Sequence, residues 1–341
     1  MEHSNADIDK LWQENTDTLR QFLDNSTDYA HLCEEVAYIL QKKINQFNIE
    51  YSAITFRAKS LNSFCGKITR KQYKEPLAQI TDLAGVRIVY LYKNDLNAIE
   101  NIIESEFKVI EKVDKLEDSG DDRFGYGATH YIVKLGKASS GARYDDLKKL
   151  LCEIQVRTVL QDSWAIIAHH LSYKQESDVP RELKRKLNSL SGLFETADDQ
   201  FDRLKEERQQ YINKIKENVT KKDIFLQQDI NLDTLNEYMS SRIPGYQNTR
   251  SEDTSKLVES LTSHGYKKIS QLEHVFSKGF KAYQLFEKEC YPDGKPSPIG
   301  VIRHLIRIVD VDFDPINISE STSPITVQWA EAYKKYRVNV K

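Results

Sequence analysis

The sequence predicts a mixed α/β (α+β) fold, with a mixed sheet of about five strands flanked by helices and a mainly helical C-terminal domain behind it. Three observations lead there. Short β-branched and aromatic runs alternate with helix-spaced segments between residues 50 and 175, which is the pattern of a sheet covered by helices. A long, highly charged amphipathic stretch follows at 180 to 218. From about 222 the apolar residues keep helical spacing with no strand-like run among them.

Taken in order, residues 7 to 48 carry Leu19, Phe22, Leu32, Val36, Leu40 and Ile44 at helical spacing and form a helical lead-in. YSAITFRAKS, from residue 51, alternates apolar and polar residues like a half-buried strand, and a basic helix opens on Ser60 or Asn62 and runs to about 74. GVRIVYLY is a second strand, 94 to 105 a helix and FKVIEKV at 107 to 113 a third strand. A loop rich in Asp, Gly and Ser leads to ATHYIVKL and then to KLLCEIQVRT, two further strands. Helical spacing resumes at Val159, and 180 to 218 reads as one long helix or a pair. Helices are expected at 232 to 240, 253 to 264, 269 to 289 and 297 to 309, then a polar segment and a final helix. The domain scheme is therefore a lead-in at 1–48, a sheet domain at 49–178, long charged helices at 179–220 and a helical domain at 221–341.

The charges nearly cancel, with 49 Lys plus Arg against 52 Asp plus Glu, so nothing in the whole-chain charge argues for non-specific nucleic-acid binding. No apolar run approaches the roughly 18 to 20 residues that span a bilayer, and the start is acidic and polar rather than signal-like, so the expected compartment is the cytoplasm, with no membrane partner. The 4 cysteines, Cys33, Cys65, Cys152 and Cys290, lack CxxC spacing and are expected to be buried or partly buried thiols.

Four polar clusters stand at strand ends or helix starts, where sheet-based sites collect ligands. Arg57 and Lys59 share a strand face, followed by Ser63 and, one helical turn on, Lys67; the set suits a triphosphate or a solvated basic edge. Asp82, just before a buried strand that carries Arg87, is placed for Mg²⁺ or for a turn. Arg123 precedes Gly125-Tyr126-Gly127 and His130, so that Tyr126 is free either to stack on a base or to pack beside a turn. Alternation puts Glu153, Gln155 and Arg157 on one face of the last strand, as a site or as a wet face. The adjacent His169 and His170 do not have metal-ligand spacing and are read as structural.

In this order RAKS at 57 to 60, DLAGVR at 82 to 87, GYGATH at 125 to 130, EIQVRT at 153 to 158 and WAIIAHHLSYK at 164 to 174 resemble the motifs of the RelA/SpoT synthetase domain. The resemblance covers residues 50 to 175 and implies a nucleotidyltransferase-like sheet that transfers pyrophosphate from ATP to the 3′-hydroxyl of GTP or GDP, making (p)ppGpp and AMP. It implies that Arg57, Lys59, Ser63, Lys67 and Arg87 hold ATP, with Arg57 and Arg87 near the adenine. Tyr126 would stack on the acceptor base, and Arg123, His130, Gln155 and Arg157 would hold acceptor phosphates or ribose. Asp82 and Glu153 would be catalytic and would bind Mg²⁺, Glu153 also helping to deprotonate the attacking hydroxyl.

The acceptor loop departs from the family pattern: Phe124 replaces an asparagine, Gly127 and Ala128 replace Gln and Ser, and the preceding residues are mostly acidic. An adenosine nucleotide or the 3′ end of tRNA, as in toxic relatives, is therefore the alternative acceptor. The lead-in is too short for the hydrolase of long family members and no HDxxED-like signature occurs, so no alarmone hydrolysis is expected. The C-terminal region does not resemble the TGS, zinc-finger or ACT modules. Its features, Tyr246, Tyr266 and Phe276 among scattered lysines, suit either an ordinary core with solvated lysines or a module that binds a protein partner or regulates the synthetase, and homo-oligomers are common among short family members.

Overall fold

The computed structural model describes residues 12–13, 15–114, 127–171, 181–244, 251–292, 294–310, 312–313 and 323–338. Two compact units divide the chain, residues 1–205 and 206–341.

The first unit opens with helices α1 (Thr16–Asp24) and α2 (Ser26–Gln46). Five strands follow among short helices: β1 (Tyr51–Ala58), α3 (Leu61–Lys71), α4 (Pro76–Gln79), β2 (Ala84–Tyr90), α5 (Leu96–Glu106), β3 (Phe107–Asp114), β4 (Thr129–Leu135) and β5 (Cys152–Thr158). They form one mixed sheet in the order β1-β2-β5-β4-β3, with β2 and β5 parallel at its centre and every other pairing antiparallel. The fold expected from the alternating pattern is thus present, strand for strand.

Alternation explains why this sheet has two different faces. On one, Val86, Ile88 and Tyr90 of β2, Ile154 and Val156 of β5 and Tyr131 and Val133 of β4 are buried against Leu32, Cys33, Val36 and Leu40 of α2 and Ile99, Ile102 and Ile103 of α5. Each such aliphatic side chain contributes about 1.5–3 kcal/mol by leaving water. The opposite face carries the residues in between, and register assigns them without ambiguity: Thr55 faces Arg87, Gly85 faces Glu153, Arg87 faces Gln155, Val89 faces Arg157 and His130 faces Gln155.

Local signals set the boundaries. Ser60 caps α3, its Oγ accepting from the Ser63 amide at 3.3 Å, and Gln72 stops the helix in the left-handed region at φ 49°. Gly136 ends β4 where a Cβ would come within 2.1 Å of the Glu106 carbonyl oxygen, an approach only glycine permits. The connection from β4 to β5 is tied to α2 by Arg143 Nη2 and Glu35 Oε1 at 2.6 Å.

After β5 come α6 (Val159–Leu171) and α7 (Arg181–Thr220), a single helix of 40 residues rather than a pair. Gly192, the one interior residue that invites a break, has open space around it and the helix continues through it. In the first unit α7 is fastened by charge: Lys93 to Asp199 at 2.9 Å, Lys205 to Asp95 at 2.7 Å, and the Asn94 amide to Asp202 at 3.2 Å.

In the second unit α8 (Lys222–Leu226), α9 (Leu232–Arg242), α10 (Ser251–Ser263), α11 (Ile269–Cys290), α12 (Pro298–Val309) and α13 (Pro324–Tyr336) enclose their own core of Leu235, Leu257, Leu272, Phe286, Val301, Leu305 and Phe313. At its polar centre His304 sits between the hydroxyls of Tyr291 at 2.8 Å and Tyr333 at 2.5 Å, and burial pushes its pKa down to about 4. Of the aromatic residues that suited either a core or a partner surface, two belong to this core: Tyr266 is buried and bonds to Asp310, and Phe276 is buried and stacks on Phe280. Tyr246 lies outside the described residues. Cys33, Cys65 and Cys152 are buried and Cys290 half-buried, all with free thiols, as expected. Among the described residues no helix is long and apolar enough to cross a membrane.

Candidate functional site

The polar face of the sheet gathers ten charged or hydrogen-bonding side chains that strands and helix starts deliver from distant points in the sequence: Arg57, Lys59, Lys67, Asp82, Arg87, His130, Glu153, Gln155, Arg157 and Asp162.

At one end, Lys59 leaves β1 where its amide still bonds to Leu83, extending the ladder by one residue. Its Nζ lies 2.7 Å from Asp82 Oδ2, and Lys67 Nζ, from the second turn of α3, lies 2.9 Å from Asp82 Oδ1. Burial raises the Asp82 carboxyl, but hydrogen bonds from the two lysines outweigh it and hold the group below the ordinary carboxylate range. Asp82 is therefore ionised at neutral pH. Ser63 lies beside them, its Oγ 3.1 Å from Ser60 Oγ. Arg57 is exposed and, among the described residues, makes no ion pair.

At the centre, Glu153 Oε1 is 2.7 Å from His130 Nδ1 and Glu153 Oε2 accepts from Gln155 Nε2 at 2.9 Å. Burial pushes Glu153 up; the hydrogen bonds from His130 and Gln155 prevail and lower it, against a further upward push from the Asp82 charge. An ionised carboxylate can only accept, so His130 Nδ1 carries the proton of this bond. Its other nitrogen, Nε2, is buried with no hydrogen-bond partner among the described residues. A polar atom left so in a residue only 5% exposed is placed to meet a further group.

The far end is an arginine pair. Gln155 Oε1 accepts from Arg157 Nη2 at 3.1 Å, and Arg157 and Arg87 both approach Asp162 Oδ1, at 3.7 and 3.1 Å. Burial, and then the neighbouring Arg87 charge, lower the pKa of Arg157. Asp162 belongs to the first turn of α6 and was not singled out in the sequence. The signal was an acidic residue shortly after a strand of alternating polar residues, and helical spacing alone gives no hint that it bridges two strands.

The structure thus brings Arg57, Lys59, Ser63, Lys67, Asp82, Arg87, His130, Glu153, Gln155 and Arg157 to one sheet face and its edge. Arg123 and Tyr126 lie outside the described residues.

Among the described residues no group of three or more His, Cys, Asp or Glu side chains forms a ready metal cage. Mg²⁺ does not need one, since it is held by one or two carboxylates with substrate phosphates and water completing the shell. An ionised carboxylate has about four acceptor positions, and Asp82 and Glu153 each use two, so oxygen lone pairs remain on both. The two negative charges also repel one another, which a bound dication would relieve. The residues fit the ion.

Residues 56–178 match the family model described as the region found in RelA and SpoT proteins. Among curated proteins, the chain is 28% identical over 157 residues to the GTP pyrophosphokinase YwaC of Bacillus subtilis, covering 44% of this chain and 72% of that protein. It is 26% identical over 192 residues to the GTP pyrophosphokinase YjbM of the same organism, covering 53% of this chain and 87% of the other. Among solved structures it is similar to small alarmone synthetase 1 from Bacillus subtilis bound to its product pppGpp, with a TM-score of 0.47, 23% identity and coverage of 55% and 98% of the two chains. The polar sheet face accordingly lies within a RelA/SpoT domain that this chain carries at residues 56–178.

Proposed function

We propose that this chain is a GTP pyrophosphokinase, transferring pyrophosphate from ATP to the 3′-hydroxyl of GTP or GDP and releasing AMP. The observation that carries the reading is the coincidence of the RelA/SpoT region with a sheet face on which two ionised carboxylates lie among five cationic side chains. The similarity to two proteins named GTP pyrophosphokinases supports the reaction class.

In this reading Lys59, Lys67 and Ser63 face the triphosphate at the N-terminal end of α3, where the helix start and two ammonium groups favour negative charge. Arg57 and Arg87 flank the adenine, planar cations suited to stacking on a base. The acceptor lies along Gln155, Arg157 and the open Nε2 of His130, with Arg123 and Tyr126 completing its site. Asp82 and Glu153 would hold Mg²⁺ through their remaining lone pairs. When bound, it neutralises triphosphate charge and makes the β-phosphorus more electrophilic. The 3′-oxygen forms its bond to the β-phosphorus as the bond from that phosphorus to the α,β-bridging oxygen breaks, and AMP carries away the electron pair. Glu153, fixed on two sides by His130 and Gln155, receives the hydroxyl's hydrogen bond, orients it for this attack and takes its proton as the new bond forms.

The test supplies purified protein with ATP labelled at the γ-phosphate and, separately, GDP, GTP, AMP or deacylated tRNA. Label on GDP and GTP is expected; label on tRNA or AMP alone would overturn the acceptor assignment. For the second unit, we propose a partner-binding or regulatory role, supported by its separate core and by a RelA/SpoT match that stops at residue 178. Removing residues 222–341 should change activity or its control in cells, and identical behaviour would refute that role.

A further inference from the structure

We infer that Asp162 is a positioning residue that sets Arg87 toward the donor nucleotide and Arg157 toward the acceptor, an inference resting on the pyrophosphate-transfer reading above. The geometry is specific. One oxygen, Asp162 Oδ1, lies 3.1 Å from Arg87 Nη1 and 3.7 Å from Arg157 Nη1, and the side chains are 17%, 33% and 14% exposed respectively. Arg87 and Arg157 stand on neighbouring parallel strands of the same face, two residues apart in register, because Arg87 pairs with Gln155 and Val89 with Arg157. Two like charges so placed repel one another. The shared carboxylate draws both guanidinium groups together over the sheet, and Gln155 Oε1 holds Arg157 a second time at 3.1 Å.

Asp162 is itself held in place. The Thr158 amide donates to Gln161 Oε1 at 2.8 Å, the Gln161 amide donates to Thr158 Oγ1 at 3.1 Å, and that hydroxyl donates to Asp198 Oδ2 of α7 at 2.7 Å. The corner between β5 and α6 is thereby locked by buried hydrogen bonds, and the first turn of α6 presents Asp162 from a fixed backbone.

The contacts also leave the arginines available. A guanidinium has five N–H donors in one plane, and Asp162 engages one Nη of each. Among the described residues both Nε atoms are buried and have no hydrogen-bond partner, and Asp162 Oδ1 itself makes only charge contacts that lack hydrogen-bond alignment. Among the described residues these three under-satisfied atoms join His130 Nε2 on the same sheet face, an arrangement that ligands can complete. If Arg87 serves the donor and Arg157 the acceptor, one carboxylate orients a group in each half of the site.

The test compares wild type with Asp162→Asn, which keeps shape and removes charge, and Asp162→Glu, which restores charge one methylene further out. Measured are kcat, KM for ATP and for GDP, thermal melting, and binding of a non-hydrolysable ATP analogue by calorimetry. Asp162→Asn is expected to raise both KM values by about tenfold with a smaller fall in kcat, and Asp162→Glu to recover part of the loss. In an Arg87→Ala background Asp162→Asn should add less than about twofold to the ATP KM, since its effect on the donor runs through Arg87. A lowered melting temperature with both KM values within about twofold of wild type would overturn the inference, as would full additivity with Arg87→Ala. If wild type transfers pyrophosphate to no guanosine acceptor, the reaction reading falls by itself. The affinity ratio for the ATP analogue still reads Asp162: about tenfold weaker binding in Asp162→Asn supports it and equal binding refutes it.

Discussion

Asp82 in the sheet domain and Glu273 in the helical unit have nearly the same electrostatic surroundings. Each is a carboxylate that burial pushes up and two basic side chains pull below the ordinary range, Lys59 and Lys67 in one case, Arg242 and Lys222 in the other. Glu273 is if anything the more enclosed, at 12% exposure against 27%. What surrounds them differs. Glu273 of α11 joins the last residue of α9 and the first of α8, and also accepts from Tyr238 at 3.2 Å, so its oxygens are spent on tying helices together. Asp82 shares its sheet face with a second carboxylate and an arginine pair, and with buried nitrogens of His130, Arg87 and Arg157 that have no hydrogen-bond partner among the described residues. A depressed carboxylate pKa marks an ion-pair network; unfinished hydrogen bonding around it separates a site from a staple.

The largest expected effect breaks that comparison if it fails. Glu153→Gln should lower kcat for pyrophosphate transfer by about 10²- to 10⁴-fold in a protein that remains folded, whereas Glu273→Gln should leave kcat within a factor of about two. Equal losses of activity from both would erase the distinction between site and staple. Next in size is the support under the site: Ile154→Ala, on the buried face of β5, should cost about 2–5 kcal/mol in urea unfolding, because it opens a cavity under Glu153 and Gln155. Glu273→Gln should cost about 1–3 kcal/mol by the same measurement through lost charge-assisted hydrogen bonds. The smallest is Ser60→Ala, which removes the cap of α3 at about 1 kcal/mol and loosens the helix that carries Lys67.

Acid sharpens the same contrast. Asp82, Glu153 and Glu273 all have depressed folded-state values, so the stability they contribute is present above the unfolded carboxylate range of about 4 and is lost as pH falls through the folded values. Unfolding free energy measured from pH 7 down to 3 should fall less steeply in Asp82→Asn and in Glu273→Gln than in wild type, since each removes one such group. An unchanged slope in Asp82→Asn would show that its lysine contacts do not persist in solution.

Most of the fold was legible because period-two alternation and capping residues act locally: β5 could be assigned to two faces from EIQVRT alone, and Ser60 announced α3. The pairing order was not legible, because which strand lies beside which depends on packing between remote segments, such as α2 against β1, β2 and β5. The continuity of α7 was uncertain for a related reason, since an isolated Gly192 permits a break and only the surrounding structure decides whether one occurs. In the site, residues grouped by motif were found, while Asp162 was missed because its two partners come from separate strands and meet it only in three dimensions. Tyr266 and Phe276 went the other way, drawing attention as aromatics among lysines but serving as core residues.

In the proposed reaction the polar sheet face moves a pyrophosphate group from ATP to a guanosine nucleotide. Its most direct test is the product balance of purified protein with ATP, Mg²⁺ and GDP, followed by phosphorus NMR. AMP and a guanosine nucleotide with pyrophosphate on its 3′-oxygen are expected in equal amounts. ADP and phosphate as the products, or AMP formed without a 3′-modified nucleotide, would contradict it.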